Sequence, residues 1–170
     1  MKRLLMAAIA GVFAFSTAGL AQDLPIRNFL RVNTEFCTAG QPTIEELSDL
    51  KADGIRAVLN LRVPTEHDAA GEEAAVSELG MNYFNIPVDG ANIGDAQVEE
   101  FLALTDDVSN QPMFIHCGSA NRVGAFWMIR RAIRDDWSVS DAEAEADEIG
   151  LTSAALKAFA LQYIETRRTP

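Results

Sequence analysis

The stretch FIHCGSANRVGAFW, at positions 114–127, contains the residue types that a cysteine nucleophile and an anion-binding loop require. An apolar run ends at His116 and Cys117, and Arg122 opens a second apolar segment. In a strand-to-helix turn, backbone N–H groups and the helix N-terminus bind anions and favour a thiolate. An arginine offers two parallel donors to an oxyanion. We therefore predict that Cys117 is a nucleophile and Arg122 an anion clamp. The predicted cradle between them consists of Gly118, Ser119, Ala120 and Asn121.

A structural role is the alternative interpretation of the same stretch. Cys117 would then be a buried thiol in a turn, and Arg122 would pair with a surface carboxylate. Strand alternation turns His116 away from the loop. We expect this histidine to hydrogen-bond to the backbone rather than to act as a general base.

Polar residues that follow other strands are further candidates for the site, because ligands collect at the carboxyl ends of parallel strands. Asp89 is the first choice for a general acid, with a simple turn role before Gly90 as its alternative. Asp95 is the second choice, although a helix-cap role explains it. Arg62 is predicted to line the rim of the pocket, or else to pair with Glu66.

The rest of the chain alternates between strand-like and helix-like segments. Strand-like stretches are 29–37, 55–61, 81–88 and 112–116, and helical ones are 43–54, 69–80, 95–107, 122–134, 138–150 and 153–168. Thr43 with Glu46, and Ser140 with Glu143, have capping-box spacing. This alternation predicts an α/β domain with a mainly parallel central sheet of about four strands flanked by helices. Two extra C-terminal helices are expected beside the apolar helix that begins near Arg122.

The first 21 residues have the pattern of a secretory signal peptide, with Lys2 and Arg3 before an apolar stretch that ends in small residues. A retained membrane anchor is the alternative. We predict one domain over residues 22–170, located in the periplasm or secreted, with no membrane contact after cleavage. Losing the two basic residues takes the net charge from −11 to −13, and such a field repels nucleic acid and anionic lipid.

Four motifs together resemble the cysteine-dependent protein tyrosine and dual-specificity phosphatase superfamily. They are AGQPT at 39–43, GIRAVLNLR at 54–62 with Glu66 after it, YFNIPV at 83–88 and HCGSANRVG at 116–124. Within the superfamily, the chain is similar to the bacterial beta-lactamase-hydrolase-like phosphatases (DUF442). The resemblance implies that Cys117 attacks phosphorus, that the 118–122 loop binds the phosphoryl oxygens, and that a separate aspartate protonates the leaving group. It also implies a phosphorylated protein or small molecule as substrate, and no metal or other cofactor.

The resemblance places Cys37 near the active loop, which suggests a reversible Cys37–Cys117 disulfide in an oxidising compartment. A buried, unpaired Cys37 is the alternative. The chain has only two histidines, His67 and His116, and no cluster with ligand spacing. A structural zinc site is therefore not expected.

The loop departs from the common phosphatase signature at three points. Four residues rather than five separate Cys117 from Arg122, Ala120 replaces a usual glycine, and Val123 replaces a hydroxyl residue. A loop of this length is also similar to that of rhodaneses, whose persulfide needs fewer hydrogen-bond donors than a phosphoryl group. A rhodanese-like sulfurtransferase that uses a Cys117 persulfide, and an inactive anion-binding module, are therefore the alternatives to a phosphatase with slow turnover.

Overall fold

The computed structural model of the chain describes residues 24–90 and 92–168. The predicted signal peptide at 1–21 lies outside the described residues. The strands are β1 (Leu30–Arg31), β2 (Phe36–Ala39), β3 (Ala57–Asn60), β4 (Asn82–Asn85) and β5 (Met113–His116). The helices are α1 (Ile44–Ala52), α2 (Ala69–Glu78), α3 (Asp95–Asp106), α4 (Asn121–Ile133), α5 (Val139–Ile149) and α6 (Ala154–Arg168).

The strands form one sheet in the order β1-β2-β5-β3-β4, in which only the β1–β2 pair is antiparallel. The predicted α/β class with a mainly parallel sheet is confirmed. The sheet has five strands rather than about four, because the extended stretch at 29–37 folds back on itself. The Asn33 side chain accepts hydrogen bonds from the backbone N–H groups of Glu35 and Phe36, at 3.0 and 2.8 Å. A turn of this kind reverses the chain between β1 and β2.

Two of the predicted helix caps lie elsewhere. Gly94 rather than Asp95 precedes α3, and its N–H donates to the Gln97 side chain at 2.8 Å. Ser138 rather than Ser140 caps α5, by accepting from the Asp141 N–H at 3.1 Å. The predicted capping box of Thr43 and Glu46 at the start of α1 is confirmed. In all three cases the cap is the residue directly before the first helical residue, whether or not it has a capping side chain.

The sheet separates two apolar clusters. One face packs against α1 and α2 through residues such as Leu47 and Val76. The other packs against α3 and α4 through residues such as Phe101 and Phe126. Helix α4 is buried along most of its length because α5 and α6 cover its outer side, as the sequence predicted. Within the described residues, no helix has the length and apolarity that crossing a membrane requires.

Candidate active site

The nucleophile loop leaves the sheet at its centre. β5 lies between β2 and β3, and His116 at its end pairs with Ala39 and Asn60. The next residue, Cys117, is 1% exposed and carries a free thiol. The carboxyl ends of three parallel strands therefore surround the loop, where ligands of such sheets bind.

The turn into α4 depends on a left-handed residue. Ala120 has φ +65°, and its carbonyl accepts the Gly124 N–H at 2.9 Å, which starts the helix. This conformation disfavours residues that carry a Cβ, which is the physical reason why glycine is usual here. Ser119 forms an isolated antiparallel bridge with Gly40, and its carbonyl accepts from the Asn28 side chain at 3.1 Å. The outer side of the loop is therefore fixed by the segments before α1.

The Asn121 side chain does not face an anion site. Its Oδ1 accepts from the N–H groups of Thr152 and Ser153, at 3.0 and 2.9 Å, and its Nδ2 donates to the Thr152 hydroxyl at 2.7 Å. Asn121 thus satisfies backbone donors in front of α6. The prediction that Asn121 belongs to the anion cradle can therefore apply only to its backbone N–H group and not to its side chain. The side chain's partners lie about 30 residues further along the chain, where sequence spacing gives no signal.

Arg122 is held by a carboxylate and lies beside the nucleophile loop. Its Nη1 and Nη2 donate to the two oxygens of Glu66 at 2.8 and 2.7 Å, and Nη1 also donates to the carbonyls of Val88 and Leu61 at 2.9 and 3.3 Å. Burial opposes the charge of Arg122, but the Glu66 hydrogen bond and the negative charge of a Cys117 thiolate raise its pKa. Arg122 therefore pairs with the Glu66 carboxylate, as a structural arginine would, and also interacts electrostatically with Cys117.

Glu66 receives both arginines of the site. The hydrogen bond from Arg122 lowers its pKa to about 2, against the opposing effect of burial, and Arg62 adds to this shift. Arg62 also donates to the Gln41 side chain at 2.8 Å and to the Glu66 carbonyl. A methyl group on Gly118 would lie 3.7 Å from Arg122 Nη2 and 4.0 Å from Arg62 Nε. Arg62 therefore lies near the loop at Gly118 and pairs with Glu66, and its role at the rim of a substrate pocket stays a prediction.

Of the two general-acid candidates, only Asp89 is next to a residue that contacts the arginine clamp. Asp89 follows Val88, whose carbonyl binds Arg122. It is exposed, and Asn92 donates to its carboxylate at 2.8 Å and to its carbonyl at 2.9 Å. Asp95 instead pairs with Arg167 at 2.9 Å.

His116 points away from the loop, but its partner is a carboxylate rather than the predicted backbone. Its Nε2 lies 2.7 Å from Oε1 of Glu72, which is 3% exposed. Sequence reasoning missed Glu72. The signal available was its position four residues before the buried Val76 on the same helical face.

The two cysteines lie on opposite faces of the sheet, and both are free. Ala39 is level with His116, so Cys37 lies three positions back along the adjacent strand. At ~3.3 Å per residue this alone separates the Cα atoms by roughly 10 Å, beyond the limit of about 7 Å for a disulfide. The suggested bridge is wrong, and Cys37 is a buried thiol whose pKa burial raises to about 12.

The chain is similar to known proteins both in sequence and in fold. Residues 26–159 match a family model described as a DSP-PTPase phosphatase fused to NAD+ kinase. A beta-lactamase hydrolase-like protein of Agrobacterium fabrum is 29% identical over 118 residues, which are 67% of this chain and 27% of that protein. The chain thus spans about a quarter of the length of this curated relative.

Two solved structures share the fold. A DUF442 phosphatase from Shewanella putrefaciens has a TM-score of 0.72 at 24% identity, over 86% of this chain and 96% of that one. The core catalytic domain of a PP-IP phosphatase from S. cerevisiae has a TM-score of 0.71 at 22% identity, over 85% and 93% of the two chains. The chain belongs to the DSP-PTPase phosphatase family, within the protein tyrosine and dual-specificity phosphatase superfamily that the sequence resemblance indicated, and its similarity to beta-lactamase hydrolase-like proteins supports the bacterial branch named there.

Proposed function

We propose that the protein is an exported, cysteine-dependent phosphatase that hydrolyses phosphate monoesters of a protein or a small molecule. Membership of a phosphatase superfamily supports the hydrolytic class. The observation that carries the cysteine mechanism is the orientation of Arg122. Glu66 and two carbonyls accept from Nη1 and from one N–H group of Nη2, and Nη2 lies beside the nucleophile loop, 3.7 Å from where a Cβ on Gly118 would be. A guanidinium has five donors, so a fork remains for phosphoryl oxygens.

In the proposed first step, the Cys117 thiolate attacks phosphorus and a sulfur–phosphorus bond forms as the ester bond breaks. Asp89 gives its proton to the departing oxygen. Backbone N–H groups of residues 118–122 and the Arg122 fork bind the three equatorial oxygens, where charge accumulates.

In the second step, water attacks the cysteinyl-phosphate. Asp89 takes a proton from that water, the sulfur–phosphorus bond breaks, and phosphate and the thiolate are released. Val123 is fully buried and has no hydroxyl, so no side chain at this position donates to the departing sulfur. We expect slow turnover for that reason.

Two substitutions in the loop test the proposal on purified protein that begins near Gln22, with an aryl phosphate as substrate. Cys117→Ser should abolish phosphate release because a serine hydroxyl is not ionised at neutral pH. Arg122→Lys should reduce kcat/KM by about 100-fold or more, because the fork is lost. Cys37→Ala is the matched control: it removes the other thiol, on the opposite face of the sheet, and should leave turnover unchanged.

Full activity of the Cys117→Ser protein would contradict the mechanism. A different result would replace it: thiocyanate formation from thiosulfate and cyanide, with a persulfide mass increment on Cys117 and no phosphate release from any ester. Phosphate binding without turnover of either substrate would identify an anion-binding module.

A further inference from the structure

A buried polar cluster lies behind the nucleophile loop, between the sheet and α2. Its members come from six different segments of the chain: Gln41, Asn60, His67, Glu72, Tyr83 and His116. Glu72 is at the centre, and both histidines of the chain contact it. We name this group the Glu72 cluster.

The two carboxylate oxygens of Glu72 have different partners. Oε1 lies 2.7 Å from Nε2 of His116. Oε2 accepts from Gln41 at 3.0 Å and from Asn60 at 3.1 Å, and lies 3.5 Å from Nε2 of His67. Glu72 therefore links two parts of the chain. We call the contact of Oε1 with His116 the nucleophile arm, and the contacts of Oε2 with Gln41, Asn60 and His67 the clamp arm.

Each arm ends next to a residue of the proposed mechanism. His116 is bonded through the peptide chain to Cys117. His67 directly follows Glu66, which binds Arg122 through both carboxylate oxygens. Gln41 accepts from Arg62 at 2.8 Å, so the clamp arm also reaches this second arginine.

Burying an ionised carboxylate is costly unless it is fully paired. Burial by itself would raise the pKa of Glu72, but its contact with His116, the Gln41 hydrogen bond and the nearby His67 lower it. Burial and the Glu72 charge raise the pKa of Tyr83 to about 12, so the hydroxyl that contacts Asn60 at 3.1 Å keeps its proton. The cluster is thus built around a charge on Glu72 although the neighbouring core is apolar.

We propose that Glu72 is a positioning residue that fixes the nucleophile strand and the arginine-clamp segment relative to each other. The proposal rests on the proposed function of Cys117 and Arg122. The hydrogen bonds and ion pairs of Glu72 go to other residues, and it acts through His116 on one side and through His67 and Gln41 on the other. A glutamine at this position has no charge and one oxygen where the carboxylate has two, so only one of the two arms keeps an oxygen acceptor and the other is weakened.

Glu72→Gln tests the proposal with two measurements that need no turnover. Calorimetric binding of inorganic phosphate reports on the clamp, and the rate of Cys117 carboxymethylation by iodoacetate reports on the nucleophile. Each should weaken by about 10- to 100-fold, since a displacement of about 1 Å at an active site has effects of this size. Both are measured well below the melting temperature, so that a loss of stability alone does not change them.

Two further variants complete the experiment. Glu78→Gln removes the same charge from an exposed position on the same helix and should change neither measurement by more than about twofold. His67→Gln alters the histidine contact on the clamp side and leaves the Gln41 contact in place, and it should weaken phosphate binding while carboxymethylation stays near the wild-type rate. It also serves as the test if Glu72→Gln does not fold.

The proposal is overturned if Glu72→Gln lowers the melting temperature but leaves both measurements unchanged, or if His67→Gln leaves phosphate affinity unchanged. Failure of the phosphatase proposal has a different signature, namely turnover that persists in Cys117→Ser. The two outcomes are therefore separable.

Discussion

At the scale of single residues, the site depends on how charges are shared. Two N–H groups of the Arg122 guanidinium donate to Glu66, and others remain available to a ligand of the loop. Arg62 contacts the same carboxylate at 3.4 Å. Arg62, Arg122 and Glu66 together carry a formal charge of +1, in a chain whose formal net charge is −11. An anionic substrate is therefore attracted locally although the global field opposes it.

The Glu66 pair has a defined pH dependence. Its folded-state pKa is about 2, below the ordinary value of 4.5. Because this pKa is lowered, the stabilisation is fully present above about pH 4.5 and is lost as the pH falls toward 2. Glu66→Gln lacks the contribution at every pH. We expect the difference in unfolding free energy between the two proteins to shrink as the pH falls through this window.

The magnitude should be modest because Glu66 is about one-third exposed, and exposed pairs contribute about 0.2–1 kcal/mol. Urea denaturation at pH 7 and at pH 2.5 measures it. A difference that stays constant over this range would show that Glu66 acts through packing rather than through charge.

At the scale of elements, the connection between α5 and α6 braces the nucleophile loop. Asn121 at the start of α4 holds Thr152 and Ser153. A methyl group on Gly150 would lie 3.3 Å from the Ser119 carbonyl and 3.4 Å from the Ala120 Cβ. The C-terminal helices therefore support the cradle directly, in addition to covering α4.

Gly150→Ala should disturb both stability and activity. Gly150 has φ +128°, where a side chain costs about 1–3 kcal/mol, and its methyl group would press on the loop. We expect the melting temperature to fall by about 4–8 °C, which corresponds to roughly 2 kcal/mol in a domain of this size, and kcat to fall as well.

Gly54→Ala is the matched control for this prediction. Gly54 also has a positive φ, at +92°, but a methyl group there would meet no atom within 4 Å. It should lose stability without losing kcat. Equal kcat in the two variants would mean that the connection does not brace the loop.

At the scale of the whole molecule, the role of the residues before the described domain stays a prediction. The family match begins at residue 26 and the described structure at residue 24, so both begin after the apolar N-terminal stretch. We propose that the stretch is a signal peptide and that the mature protein functions outside the cytoplasm. Mass spectrometry of protein from its native source should find the N-terminus within a few residues of Gln22. An intact Met1 on a cytoplasmic protein would contradict export.

The sequence by itself determined the features that depend on near neighbours. The Cys117–Arg122 turn, the capping box at Thr43 and the order of strands and helices are all encoded within a few residues, because hydrogen bonds inside a turn or helix join positions three or four apart. The residue that caps each helix was harder to predict, because several polar residues, such as Ser138 and Ser140, stand near the same helix start.

Only the tertiary structure decided which side chains meet across the sheet. The strand order places β5 between β2 and β3, which brings His116 toward Glu72 on one face and Cys117 toward α4 on the other. The register of β2 against β5 separates Cys37 from Cys117, and the α5–α6 connection, where it meets the start of α4, gives Asn121 a partner at Thr152. These contacts join residues tens of positions apart, and a one-residue change of strand register would exchange the two faces. Local spacing therefore carries no information about them.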